Sequence, residues 1–223
     1  MRNKGFTLIE LSIVLIIISL IVGGIVSGKS LIRASEIKSV ISEINSYETA
    51  FRTFEDQYEY APGDLPNAKD YWPDPLCLDS GTQLCNGNGD RMLTNETFRA
   101  WQHLELAEMV EGAFTGLLVA SLSGCDLDEN CPSSSLKHGG YQIIPLTTGG
   151  ISLLLGADVP GLFLLGGIIT PREAKNFDRK MDDGISDTGR VIGMSSLSGT
   201  CISGGVYDLS ISEDYCVIQF KIN

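Results

Sequence analysis

Histidine is scarce in this 223-residue chain: His103 and His138 are the only two. Neither has a cysteine, serine or acid signature placed beside it, so both read as structural or surface groups. The chain has no G-x-S-x-G, no H-E-x-x-H and no pair of metal-binding histidines. Cationic residues are also few, 16 against 28 acids, for a net charge of −12. An acidic surface is poorly suited to a phosphate backbone, so no nucleic-acid partner is expected. Of the six cysteines, none stands in a C-x-x-C pair, which removes the commonest thiolate metal spacing.

The chain does have one long apolar run. From Phe6 to Val26 it is broken only by small hydroxyls, Gly23, Gly24 and a single acid, Glu10. As a helix this stretch is long enough to cross a hydrocarbon core of about 30 Å. A carboxylate inside such a span is costly in lipid and calls for a function. A secretory signal would place a small-residue cleavage site after the apolar part. Here the run continues through Gly23-Gly24 into Ser27, Gly28 and Lys29 without one. Arg2 and Lys4 before the span favour a cytoplasmic N-terminus.

Lys4-Gly5-Phe6-Thr7-Leu8-Ile9-Glu10-Leu11 resembles the processing motif of type IV pilins and type II secretion pseudopilins. The resemblance implies cleavage between Gly5 and Phe6 by a prepilin peptidase, followed by methylation of the new Phe6 amine. It further implies assembly with other pilin or pseudopilin subunits; no phosphate-loop pattern is expected in the chain, so the energy would come from a separate cytoplasmic ATPase. Gly5 lets the backbone lie flat in a protease groove, and Phe6 puts a ring at the membrane interface. Glu10 lies four residues on, on the same helical face, where it can pair with the Phe6 amine of an adjacent subunit. Loss of residues 1–5 removes Arg2 and Lys4, leaving 14 bases against 28 acids, a net charge of −14. The expected location is the bacterial inner membrane in a single pass, with the C-terminal domain periplasmic. From there the subunit would enter an extracellular pilus or a periplasmic pseudopilus. A membrane-anchored periplasmic enzyme or binding module is the alternative, and it lacks a catalytic constellation.

Beyond the span, Ile37, Val40, Ile41, Ile44, Tyr47, Phe51, Phe54 and Tyr58 recur at three and four, with charged residues between them. The predicted organisation is a leader (1–5), a membrane and assembly helix (6–28), its amphipathic continuation (29–60) and a globular domain (61–223). Pro62-Gly63 is the expected helix stop. The fold class is α+β, with a small antiparallel sheet packed on the amphipathic half of the first helix. Asn95 reads as the cap of a helix running to about Glu111, carrying Phe98, Trp101, Leu104 and Ala107 on one face. Gly140–Ile144 suits a strand. Residues 151–169 are apolar but interrupted by Asp158 and Pro160, so short core strands or irregular packing are expected rather than a second span. Thr170-Pro171-Arg172-Glu173 is a capping-box helix start, and 216–222 reads as a half-buried terminal strand.

Cys77, Cys85, Cys125, Cys131, Cys201 and Cys216, in a domain outside the cytoplasm, read as disulfides. Six thiols allow fifteen connectivities. Proximity favours Cys77–Cys85, Cys125–Cys131 and Cys201–Cys216. No cofactor is expected, but two loops leave calcium open. Asn86, Asn88 and Asp90 alternate like positions 1, 3 and 5 of an EF-hand loop, while Arg91 replaces its glycine and Thr97 its closing acid. A turn held by Asx hydrogen bonds is the other reading. Asp178, Asp182, Asp183 and Asp187 form the second acidic group, readable as a solvated turn or as a calcium loop of the kind related pseudopilins carry.

Overall fold

A computed structural model describes residues 7–73, 85–93, 96–117, 124–136, 138–146, 150–159 and 164–222. Gly5, Phe6, Cys77, Asn95 and Pro160, singled out above, lie outside the described residues. The chain divides into two compact units, Met1–Ser39 and Val40–Asn223.

Helix α1, Leu8–Tyr58, runs for 51 residues. Gly23, Gly24 and Gly28 stay helical within it. Its small hydroxyls do not break the apolar face, because they bond back to the helix. Ser12 Oγ donates to the Ile9 carbonyl at 2.9 Å and Ser19 Oγ to that of Leu15 at 2.8 Å. The helix stops at Tyr58, four residues before the expected Pro62-Gly63. Glu59 turns into the left-handed region, at φ 65°, while its N–H still closes on Glu55. The proline and glycine fall in the turn that follows, where the Asp64 N–H donates to Ala61.

In the second unit the three-and-four spacing becomes a buried stripe: Val40, Ile44, Phe51 and Phe54 are at most 3% exposed. Aromatic edges join this stripe to its neighbours. Tyr47 sits edge-on to both Trp101 and Tyr141 at 5.0 Å between ring centroids, and Phe51 meets Trp101 at 6.1 Å. A short helix, α2 (Ala68–Tyr71), leads to Trp72, whose ring stacks on Phe54.

Helix α3 spans Thr97–Leu106, shorter than the expected run to Glu111. It ends in a Schellman motif: the Met109 N–H donates to Leu104 and the Glu108 N–H to Glu105, with Glu108 at φ 56°. A glutamate in that conformation gives no glycine signal in the sequence. Burial is also wider than one face. Arg99, Gln102 and His103 are covered along with Phe98, Ala100, Trp101 and Leu104.

Strands β1 (Gly139–Pro145), β2 (Ile151–Ala157), β3 (Val191–Ser195) and β6 (Cys216–Ile222) form an antiparallel sheet in the order β1-β2-β6-β3. A two-stranded ribbon, β4 (Ile202–Ser203) with β5 (Val206–Tyr207), lies apart from it in pairing. Register puts Tyr141, Leu155 and Ile218 in one row, and Ile143, Leu153, Phe220 and Val191 in the next row of the same face. Tyr47 of α1 meets this face at Tyr141, and Phe177 of α4 (Pro171–Met181) meets it at Phe220, 5.3 Å between centroids. The fold is therefore α+β and pilin-like: a long N-terminal helix and a C-terminal domain with a small antiparallel sheet.

Helix α4 starts as its sequence demands. Thr170 Oγ1 accepts from the Glu173 N–H at 3.2 Å, and Glu173 Oε2 accepts from the Thr170 N–H at 3.0 Å. The last strand departs from simple alternation. Val217 is as buried as Cys216 and Ile218, because both faces of the sheet are covered at that end.

Candidate processing and assembly site

Among the described residues the N-terminal unit presents exposed apolar side chains. Leu8, Leu15 and Leu20 are 87%, 57% and 72% exposed. Among the described residues this is the one helix long and apolar enough to cross a membrane.

At its start Thr7 and Glu10 bond reciprocally. The Thr7 N–H and Oγ1 donate to Glu10 Oε2 at 2.8 and 2.7 Å, and the Glu10 N–H donates to Thr7 Oγ1 at 3.3 Å. That is a capping box, in which an acid at the third helical position satisfies N–H groups that have no carbonyl partner. The Thr7-x-x-Glu10 spacing carries this box in the sequence, beside the expected readings of Glu10 as a contact between subunits or as an acid snorkelling toward the headgroups. Glu10 is exposed and sits in the first turn, where the helix dipole also favours an anion.

Gly23 to Ser30 spell Gly-x-x-x-x-Gly-Lys-Ser, the letters of a phosphate-binding loop, so the expectation that the chain has no such pattern is wrong at the level of sequence. All eight residues lie inside α1. Such a site needs a loop whose N–H groups point at the phosphate. Here the N–H groups belong to a helix interior, so no cradle forms.

Cys125 pairs with Cys131 and Cys201 with Cys216, with Cα atoms 5.8 and 5.0 Å apart. Cys85 is also disulfide-bonded. The Cys201–Cys216 bridge ties the start of β6 to the ribbon β4–β5.

The two histidines differ in environment. His138 is exposed, at φ 61°. His103 is fully buried: its Nδ1 accepts the Gly63 N–H at 2.9 Å, and Nε2 lies 2.9 Å from the Cys85 carbonyl. Because Nδ1 accepts, the ring is neutral with its proton on Nε2. Burial lowers its pKa from 6.5 to about 4; the Cys85 carbonyl opposes that shift and Arg99 adds to it. It is a structural clamp between the turn after α1, α3 and the Cys85 segment.

Of the EF-hand-like trio, only Asp90 joins an acidic group. Asn86 Oδ1 accepts the Lys69 N–H at 2.9 Å, and Asn88 Oδ1 accepts the Asp90 N–H at 2.9 Å, an Asx turn. Asp64 and Glu96 complete the cluster with Asp90, and the sequence reading named neither for it. Asp64 is fully buried. Its Oδ1 accepts the Asp90 N–H at 3.1 Å and its Oδ2 the Arg91 N–H at 2.8 Å. Glu96, the residue before α3, is 6% exposed. Burial pushes its pKa up to about 7 against the pull of Arg99, with Asp64 raising it, the Asn88 N–H lowering it and Asp90 raising it.

The second acidic group is held by its own turn. Asp178 accepts from the Gly184 N–H at 3.0 Å and the Tyr207 hydroxyl at 2.9 Å. Asp182 Oδ2 takes the Arg190 and Val191 N–H groups, and Asp183 takes the Ile185 N–H and the Thr188 hydroxyl. Burial raises the Asp178 pKa, and the hydroxyl of Thr188 lowers that of Asp183.

Comparison with known proteins agrees with the N-terminus. Residues 1–26 match the model of the prokaryotic N-terminal methylation motif. The chain thus carries the prepilin-type signature, followed by a long apolar helix. This signature marks substrates of type IV pilin or pseudopilin systems and fits membrane anchoring through α1. No curated protein and no solved structure matches the chain.

Proposed function

We propose that the chain is a structural subunit, cleaved between Gly5 and Phe6, methylated on the Phe6 amine and assembled into a type IV pilus or a type II secretion pseudopilus. The observation that carries this reading is the methylation motif at 1–26 leading directly into an exposed apolar helix. Before assembly the helix resides in the inner membrane, its N-terminus cytoplasmic and the Val40–Asn223 unit outside. A bare apolar helix is stable only in lipid or against other such helices. Head-to-tail packing of identical or related copies then extends an open filament, since the contact does not close on itself. The disulfide-bearing domain suits a minor subunit rather than the bulk of the filament, and no enzymatic role is assigned.

In this reading Glu10 has two successive partners. In the free subunit its carboxylate caps its own helix through Thr7. In the filament the same carboxylate meets the Phe6 amine of a neighbour, and the pair sets the axial register, because a charge in an apolar setting seeks its opposite. Glu10→Ala should leave the protein present, cleaved and membrane-bound but strongly reduce its recovery in sheared filaments. Full incorporation of the variant would refute the role of Glu10. A mature N-terminus that keeps residues 1–5 would refute the whole reading.

A further inference from the structure

We propose that Asp64, Asp90 and Glu96 bind a hard divalent cation, calcium, between the turn that follows α1 and the start of α3. One carboxylate oxygen from each of the three lies within 4.8 Å of the others. Three ionised carboxylates so close repel one another unless one takes up a proton or a positive charge lies among them. Arg99 supplies one, its Nη1 3.4 Å from Glu96 Oε1. Against three carboxylates in their ionised form that leaves an excess of two negative charges, the charge a divalent ion neutralises.

The acidic cluster alone would not be enough; Glu96 supplies the second observation. The residue is 6% exposed, and its Oε2 is buried with no hydrogen-bond partner among the described residues. A buried carboxylate oxygen without a partner has lost its hydration with nothing in exchange, and native structures seldom leave one. Its position offers an obvious use that it does not take. Glu96 is the N-cap of α3, yet its side chain makes no capping bond. The carboxylate lies with Asp64 and Asp90 instead. The Asp178–Asp182–Asp183 group provides the contrast: no buried oxygen there lacks a partner, and it carries no such inference.

The surroundings select the ion. All donors are oxygens, and the nearby imidazole of His103 has both nitrogens engaged, which disfavours zinc or copper. Calcium tolerates six to eight oxygens in irregular arrangement, whereas magnesium demands a near-ideal octahedron. Asp64 and Glu96 are buried and Asp90 is exposed, so an ion enters from the Asp90 side and keeps water there. The loop is held in place for this: Gly87 and Gly89 donate to the carbonyls of Leu65 and Asp64 at 2.8 and 3.1 Å.

The test uses the full-length protein in detergent, stripped with chelator and then titrated with calcium or magnesium while its melting is followed by tryptophan fluorescence. Calcium at about a hundredfold above its Kd should raise Tm by about 5–10 °C, and magnesium should do so clearly less. Glu96→Gln should weaken calcium binding about a hundredfold while its chelated form melts no lower than the wild type, since the amide is not an uncompensated buried charge. Asp90→Asn, altered only at the exposed ligand, should weaken calcium binding as well. The proposal is overturned if calcium leaves Tm unmoved, if magnesium serves as well, or if both variants keep the full calcium response. None of these results bears on N-terminal processing, so the site and the subunit reading fail separately.

Discussion

Replacing His103 by glutamine should flatten the acid limb of the stability curve. The imidazole is buried, accepts the Gly63 N–H and bonds the Cys85 carbonyl, each at 2.9 Å. Its pKa is lowered from 6.5 to about 4, chiefly by burial. The unfolded chain therefore takes up this proton before the folded one does. The stabilisation is complete above pH 6.5, fades as pH falls from 6.5 to about 4, and is gone below that. A gap of this size corresponds to about 3 kcal/mol at roughly 1.4 kcal/mol per pH unit. For a chain of this length that is about 6–12 °C in Tm. Trp72 lies 5.7 Å from the imidazole between ring centroids, so tryptophan fluorescence reports unfolding at the right place. His103→Gln keeps a donor for Cys85 but strands the Gly63 N–H, which should cost about 1–3 kcal/mol at neutral pH. Carboxylate titrations are common to both proteins and cancel in the difference. Between pH 6.5 and 4 the wild type should lose about 3 kcal/mol more than the variant. Equal slopes in the two proteins would show that His103 is not the buried neutral clamp described here.

Two further outcomes test the scaffold around the sites. A Cβ on Gly87 would overlap the Asp64 Cα and carbonyl carbon, so Gly87→Ala should destabilise the domain by about 2 kcal/mol or more, measured by urea unfolding. Thr170→Ala removes one half of the α4 capping box and should cost about 1 kcal/mol, seen as about 2–4 °C in Tm with the sheet intact by circular dichroism.

Legibility in the sequence followed the range of the interactions. The capping box at Thr170–Glu173 needs only four residues, and it forms as written. The apolar stripe from Val40 to Phe54 repeats every turn and is buried as its period requires. The Thr7–Glu10 box was equally local, but a reading directed at lipid and neighbouring subunits overlooked it. The end of α3 misled because Glu108 adopts a left-handed conformation that the sequence gives to glycine more often. Burial of Arg99, Gln102 and His103 could not be read at all. For Arg99 and His103 it depends on the Cys85–Asp90 segment and the turn after α1 folding over α3, and for Gln102 on the backbone at Gly116.

Short-range chemistry alone thus determined the prepilin-type N-terminus, the long helix with its change from apolar to amphipathic, and the α+β class. Each rests on spacing within one or two helical turns or one strand. Tertiary structure decided which acids meet. Asp64, Asp90 and Glu96 are separated by up to 32 positions in the chain, and they converge only because the glycine loop packs on the turn after α1 beside the start of α3. A carboxylate carries no sequence mark of whether its oxygens will find N–H partners or be left without one, since that depends on backbone brought from elsewhere.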